Sequence, residues 1–406
     1  MKLYLILAWR NIWRNKRRTI IATSSIFFAI FLAIFTRSLQ HGSYDFMIDS
    51  AVRMYTGYLQ IHGKGYWEER ALEKSIEVDN ELLNQIEKIE FVEIAVPRLE
   101  NFMLISSREI TKVASVISID PEKENKMTRL KDKLIAGRYL NDYDEGILIS
   151  EGLARLLKIQ TGDSVVLYGQ GIYGMTAAVV CPVIGIVKFA LPDLNNSFIY
   201  LPLKFGQNLF SMENKITTIS LMLTNPRKIN QVHSELNKLL NEKFEVMSWE
   251  ELMPELVQGI QLDNVGGMIM LFILYIVIAF GIFGTVMMMT IERAKEFGIL
   301  ISIGVKKSKL ILITTIESIL IALTGGLSGV LVSIPVIKYY HDNPIRLTGQ
   351  IEEISLKFGI EPILPLSMDT LIFIAQTSIV LLIALVCSLY PMNYIRKLKP
   401  VEAMRK

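Results

Sequence analysis

Apolar residues gather in four long blocks along an otherwise mixed chain: residues 19–38, 265–290, 310–337 and 368–391. Each block is close to or beyond the roughly 20 residues that cross a bilayer core, so each predicts a transmembrane helix. Between the first two lies 39–264, which holds no apolar run of membrane length. There the pattern shortens. Tyr58–Ile61, Ile110–Ile119, Ser164–Tyr168, Ala177–Val187, Phe198–Leu201, Ile216–Leu223 and Phe244–Met247 alternate or cluster β-branched residues and predict strands. Asn80–Ile89, with Leu82, Leu83 and Ile86, and Lys228–Leu240, with Ile229, Val232 and Leu236, carry helical stripes. GILISEGLARLL from Gly146 reads as a strand followed by a helix. A stretch of about 220 residues can bury its own core. The expected fold is four transmembrane α-helices with a large extracytoplasmic α+β domain between helices 1 and 2. Two packed lobes are expected around a β-rich centre fed by Gly146–Val187. Helical stalks are expected at both ends of the domain, over Gln40–Ser50 and Trp249–Val265.

Charge orients this arrangement. Residues 1–18, 291–309 and 392–406 are rich in Lys and Arg, while the loop 338–367 carries more acidic than basic residues. Cytoplasmic segments collect Lys and Arg. Both ends and the 291–309 segment are therefore expected in the cytoplasm, and 39–264 outside it, in a multi-pass membrane protein. Residues 1–18 read as an amphipathic helix lying at the interface, with Trp9, Arg10, Trp13, Arg14, Arg17 and Arg18 as anchors. The block after it lacks a small-x-small cleavage site at Phe35-Thr36-Arg37-Ser38, so a retained signal anchor is expected. Gly266, Gly267, Gly281 and Gly284 are candidate helix-packing positions along the second span, and Gly325-Gly326-Leu327-Ser328-Gly329 along the third. Glu317, near one end of the third block, is expected to snorkel to the interface.

The candidate chemistry is sparse. A net charge of +3 gives no basic excess of the kind nucleic acid requires. Cys181 and Cys387 are far apart, and His41, His62, His233 and His341 form no cluster, so neither a disulfide framework nor a metal site is expected. Gly169–Gly174 matches GxGxxG, but the strand-like Met175–Val180 follows it where a dinucleotide site needs a helix. A glycine-rich hairpin is the simpler account. GxxxxGK[ST], HExxH and GxSxG do not occur, and no catalytic residue is assigned.

The most informative stretch is Ile291–Lys309, IERAKEFGILISIGVKKSK, between the second and third spans. Ile291, Ala294, Phe297 or Gly298, and Ile301 recur at helical spacing, with Glu292, Arg293, Lys295 and Glu296 largely opposite. An amphipathic helix so placed can offer a polar face to a partner; a solvated loop whose charges only set topology is the plain alternative. Glu292-Arg293, Glu296, Gly298 and Gly304 resemble the corresponding loop of ABC-transporter permeases of the MacB/FtsX/LolCDE type (type VII). The leader AWRNIWRNKRRT, the exit PMNYIRKLKPVEAMR, and GRYL, GILISEGLARLLKIQTGDSVVL and VIGIV in the large domain extend the resemblance over nearly the whole chain. YTGYLQIHGKGY, Tyr55–Tyr66, resembles the lipoprotein-releasing LolC/LolE-like branch more than macrolide exporters.

The resemblance implies a permease subunit with a MacB-like periplasmic core domain, built for mechanotransmission. Glu292, Arg293, Glu296, Gly298 and Gly304 would be its ATPase-coupling residues. Its partners would be a cytoplasmic ABC ATPase dimer and a second permease subunit, in a homo- or heterodimer. No cofactor is expected on this chain, with ATP and Mg on the partner ATPase. In the LolC/LolE-like branch the cargo is a lipoprotein released from the inner membrane toward a periplasmic carrier. MacB-like efflux of a drug, peptide or toxin, and FtsX-like signalling to a cell-wall hydrolase, are the alternatives.

Overall fold

A computed structural model describes residues 2–14, 16–77, 80–108, 110–189, 191–357 and 361–399. Arg405 and Lys406 of the basic tail lie outside the described residues, as does the side chain of Arg18. The chain divides into two compact units. One holds 1–46, 259–346 and 363–406; the other holds 47–258 and 347–362.

The first unit is helical. Helix α1, Lys2–Arg14, precedes α2, Lys16–Ala51. Later come α3, Pro254–Glu292, α4, Ala294–Ser302, α5, Lys307–Asp342, α6, Thr370–Cys387, and α7, Leu389–Lys397. Four helical stretches among the described residues are long and apolar enough to cross a membrane: Thr19–Thr56, Pro254–Glu292, Lys307–Asp342 and Thr370–Lys397. At 1.5 Å per residue, the 39 residues of α3 reach roughly 58 Å, well past a hydrocarbon core of about 30 Å. The excess length is polar. Arg37 donates to Gln40 Oε1 at 2.6 Å and to Asn264 Oδ1 at 3.0 Å, and the Tyr44 phenol donates to Asp263 Oδ2 at 2.5 Å, clasping α2 to α3.

Within the apolar part, small residues set the spacing. A Cβ on Gly325 would stand 2.8 Å from the Thr23 carbonyl oxygen, and one on Gly329 would stand 3.1 Å from that of Phe27, so α5 lies directly on the backbone of α2. The second-span glycines behave differently: Gly266, Gly281 and Gly284 open onto empty space, and Gly267 faces the Gln40 side chain.

The second unit is α+β. Its main sheet has ten strands among the described residues. They are β1 Leu59–Gly63, β2 Val92–Ser107, β3 Ile110–Ile119, β4 Leu134–Gly137, β5 Ile147–Ser150, β6 Ser164–Gln170, β7 Thr176–Val187, β8 Phe198–Pro202, β9 Thr218–Leu223 and β10 Phe244–Ser248. The GxGxxG stretch is the turn of the β6–β7 hairpin, with Gln170 paired to Thr176.

Pairing runs β2 to β3, β3 to β8, β8 to β5, β5 to β7, β7 to β6, and β6 back to β2. These six strands therefore close on themselves. The alternation read from the sequence explains why: Val165 and Leu167 of β6 and Ala177, Cys181 and Val183 of β7 point into one cluster with Leu99, Met103, Ala114, Val116, Ile149 and Ile199. A second cluster lies along β10, β1, β9 and the first half of β2, covered by helices Asn80–Glu87 and Ile229–Leu239 through Leu83, Ile86, Val232 and Leu236. The expected strand Ile216–Leu223 is split. Lys215–Ile216 pairs instead with Ile76–Glu77, and Thr217 between the two pieces bonds back to Arg98 and Glu100.

Candidate functional site

The site is built where α3 ends. Arg293 leaves helical geometry at φ −93°, ψ 0°, and α4 starts afresh at Ala294. This reset changes which residues face inward. Arg293 is buried, although its charge pattern put it on the polar side, while Ile291, counted in the apolar stripe, is 46% exposed. Phe297 and Gly298 are buried, and Phe297 packs with Leu310 and Ile395. Glu292, Lys295 and Ile299 face outward. The segment turns at Gly304, whose φ of +97° favours glycine, and α5 begins at Lys307.

Two polar ties hold α4, and a third fixes the start of α5 beyond its turn. Arg293 Nη1 donates to Glu317 Oε2 of α5 at 2.5 Å, with both side chains almost wholly buried. Glu317 thus does not snorkel: a buried guanidinium one helix away neutralises it, which an isolated apolar block cannot reveal. The Arg293 guanidinium also lies 5.3 Å from the Phe297 ring centre. Arg14 of α1 donates to Glu296 Oε2 at 2.6 Å, with both groups about half exposed. Lys307 Nζ donates to the carbonyls of Arg396 and Leu398, at 2.9 and 2.8 Å, where a cation suits the C-terminus of α7. Sequence reasoning missed Glu317 and Lys307 as parts of this site, because their partners are 24 and about 90 residues away.

Beside α4 lies a groove of about 720 Å³. Ile291, Glu292 and Lys295 line one wall and Tyr390, Tyr394 and Lys397 the other. Both walls mix aliphatic or aromatic surface with charge, which suits a protein partner. On α1, Trp9 and Trp13 are about half exposed and meet edge to face at 6.1 Å, while Ala8 and Ile12 are buried. Arg10, Arg14 and Arg17 are exposed. The described residues contain no group of three or more His, Cys, Asp or Glu side chains able to hold a metal. Cys181 and Cys387 are buried free thiols.

Comparison with known proteins finds two family profiles. The MacB-like periplasmic core domain matches residues 19–239, and the FtsX-like permease C-terminal domain matches 268–400. An uncharacterized ABC transporter permease of Methanocaldococcus jannaschii is 26% identical over 285 residues, 66% of this chain and 64% of its own length. This chain therefore spans less than two thirds of that relative. The lipoprotein-releasing system transmembrane protein LolC of Neisseria meningitidis is 22% identical over 328 residues, and LolC of Xylella fastidiosa 24% over 327, each match covering 77% of both chains. Among solved structures, the extracellular domain of the transporter YknZ from Gram-positive bacteria aligns at 18% identity and TM-score 0.34, over 47% of this chain and 99% of its own. The periplasmic region of MacB from Actinobacillus actinomycetemcomitans aligns at 16% and 0.36, over 51% and 95%.

Proposed function

Because this chain belongs to the FtsX- and MacB-like permease superfamily, we propose that it couples ATP hydrolysis on a separate cytoplasmic ABC ATPase to conformational work in its extracytoplasmic domain. The observation that carries this reading is the α4 segment. Arg293 and Glu296 tie it to α5 and α1, and Lys307 at the start of α5 ties the far side of its turn to the end of α7, so a push on α4 is passed to the helices rather than absorbed by a loose loop. The groove formed by Glu292, Lys295, Tyr390 and Lys397 receives the ATPase. Arg293 and Glu296 act as the mounting of the segment, and Glu292 and Lys295 as its outward contacts. A second permease subunit completes the assembly, with Gly281 and Gly284 of α3 on its open side.

The cargo we propose is a lipoprotein, released from the membrane toward a soluble carrier. Support comes from the LolC relatives, whose similarity covers 77% of this chain. Removing acyl chains from a bilayer costs about 0.8 kcal/mol per CH₂, so such release needs an external energy source. A second reading, efflux of a drug, peptide or toxin, has the MacB-like core domain in its favour.

Lys295→Glu tests the coupling. Its side chain faces the groove, and the substitution leaves the internal ties intact. Co-purification of the ATPase is expected to fall about tenfold, with release of acylated lipoprotein from proteoliposomes lost in parallel. Unchanged ATPase capture together with unchanged release would exclude the docking role. ATP-dependent export of a soluble drug or peptide, with no lipoprotein released, would favour the efflux reading.

A further inference from the structure

The α+β unit contains a second candidate site, far in sequence from the coupling segment and independent of it. A half-open cavity of about 340 Å³ is walled by Tyr55, Tyr66, Phe102 and Phe198, a size suited to a small ligand. Two charged groups converge on it. Glu100, on β2, is 9% exposed, and its Oε1 accepts no hydrogen bond. Its Oε2 lies 3.9 Å from Arg70 Nη1, beyond hydrogen-bond range. Tyr55's phenol hydrogen-bonds the same carboxylate but not at Oε1; burial, the negative charge of Glu100 and that bond hold its pKa well above the usual range, so it stays neutral. Arg70 is more open: its side chain is 37% exposed, and its guanidinium stacks 3.7 Å over the Trp67 ring.

A buried carboxylate oxygen with no donor is costly, and folded proteins rarely leave one without a purpose. The missing partner must supply an N–H or O–H. Arg98 already lies 4.8 Å from the Tyr55 ring centre and Arg70 5.7 Å from that of Tyr66, and the remaining wall rings, Phe102 and Phe198, favour a ligand cation, whose charge a ring face stabilises. Arg70, nearer the mouth, would repel a simple cation but attract an anion attached to it. We propose that this cavity binds a small zwitterion, with a primary ammonium group donating to Glu100 and a phosphate or carboxylate facing Arg70. Phosphoethanolamine head groups and free amino acids both have this chemistry.

Calorimetric titration of the full-length chain in a neutral maltoside detergent tests it, with glycerophosphoethanolamine and phenylalanine as probes. Saturable binding of at least one is expected. Glycerophosphocholine, which has no N–H, and glycerol 3-phosphate, which has no ammonium, should bind at least about tenfold more weakly. Glycerophosphoethanolamine binding alone identifies a head-group site, and phenylalanine binding alone an amino-acid site. Glu100→Gln should weaken the competent probe about tenfold. Phe102 is 61% exposed, so Phe102→Ala removes a wall without disturbing the core and should weaken binding several-fold even if Glu100→Gln fails to fold. No saturable binding of either zwitterion, equal binding of the choline compound, or unchanged affinity in both variants would overturn the assignment.

Discussion

Arg293 and Glu317 show how a single contact changes the meaning of both residues. Each alone is a poor fit to its surroundings, and together they form a buried pair at 2.5 Å. Breaking a buried pair leaves one charge uncompensated. Arg293→Ala is expected to destabilise the helical unit by about 3–5 kcal/mol, while Arg293→Met with Glu317→Leu should recover most of that loss. Thermal unfolding in detergent checks both, and coupling to the ATPase should stay impaired in the double variant because the tie is gone. His62 offers a test in the other unit. It is fully buried, its ring stacked on Tyr66 and its Nδ1 3.3 Å from the Thr217 carbonyl oxygen. Burial pushes its pKa from 6.5 down to about 4. Between those values the unfolded chain binds a proton that the folded chain does not, so stability falls as pH drops from about 6.5 toward 4. The loss is on the order of 3 kcal/mol, and His62→Gln should flatten that part of the unfolding profile measured against pH. The charge pattern around Arg293 was legible, but its direction was not. A helix read as continuous from Ile291 puts Arg293 outside, and the break at Arg293 itself turns it in.

Among the elements, the spans were legible because each buries or exposes an unbroken apolar surface, which hydropathy reports directly. Their polar extensions were harder to delimit. The first helix runs to Ala51 and the second starts at Pro254, where the proline suits a first helical turn. Small residues divide by use. Those of α5 are packing surfaces, so Gly325→Val forces a Cβ to within 2.8 Å of the Thr23 carbonyl oxygen and should separate α2 from α5, read as loss of folded protein after detergent extraction. Gly304 has open space around it and matters for its backbone alone. Gly304→Ala is expected to cost about 1–2 kcal/mol of strain at φ +97° without any clash. The hairpin at Gly169–Gly174 was legible from its C-terminal neighbours: a strand-like Met175–Val180 cannot supply the helix that a nucleotide site requires.

At the scale of the molecule, the chain is a multi-pass membrane protein with four spans and a large extracytoplasmic α+β domain. The two native thiols are buried, so introduced cysteines can report sidedness cleanly. With an impermeant maleimide on spheroplasts, Tyr143→Cys, at an 89% exposed position, should be labelled at once. Ile303→Cys, 72% exposed beside the α4 turn, should be labelled only after lysis. Labelling of the second without lysis would invert the topology. The strands were visible in the sequence as isolated alternating runs. Their order was not, because β2 pairs with partners from three separate stretches, and nothing local specifies which.

That order has a consequence during synthesis. One seam of the six-strand ring joins Met103–Ser106 to Val166–Gly169, sixty or more residues further along the chain, and the ring closes only when Phe198–Pro202 has joined β3 and β5. Until the ribosome has delivered that later strand and the chain has crossed the bilayer, β2 has one side of its far half unpaired in a compartment without ATP. A chain stalled before residue 166 would carry an open edge, the usual starting point for aggregation between nascent molecules. Export and closure are thus competing clocks, and slow translocation of 110–202 should raise the insoluble fraction of the newly made protein even where the finished protein is stable.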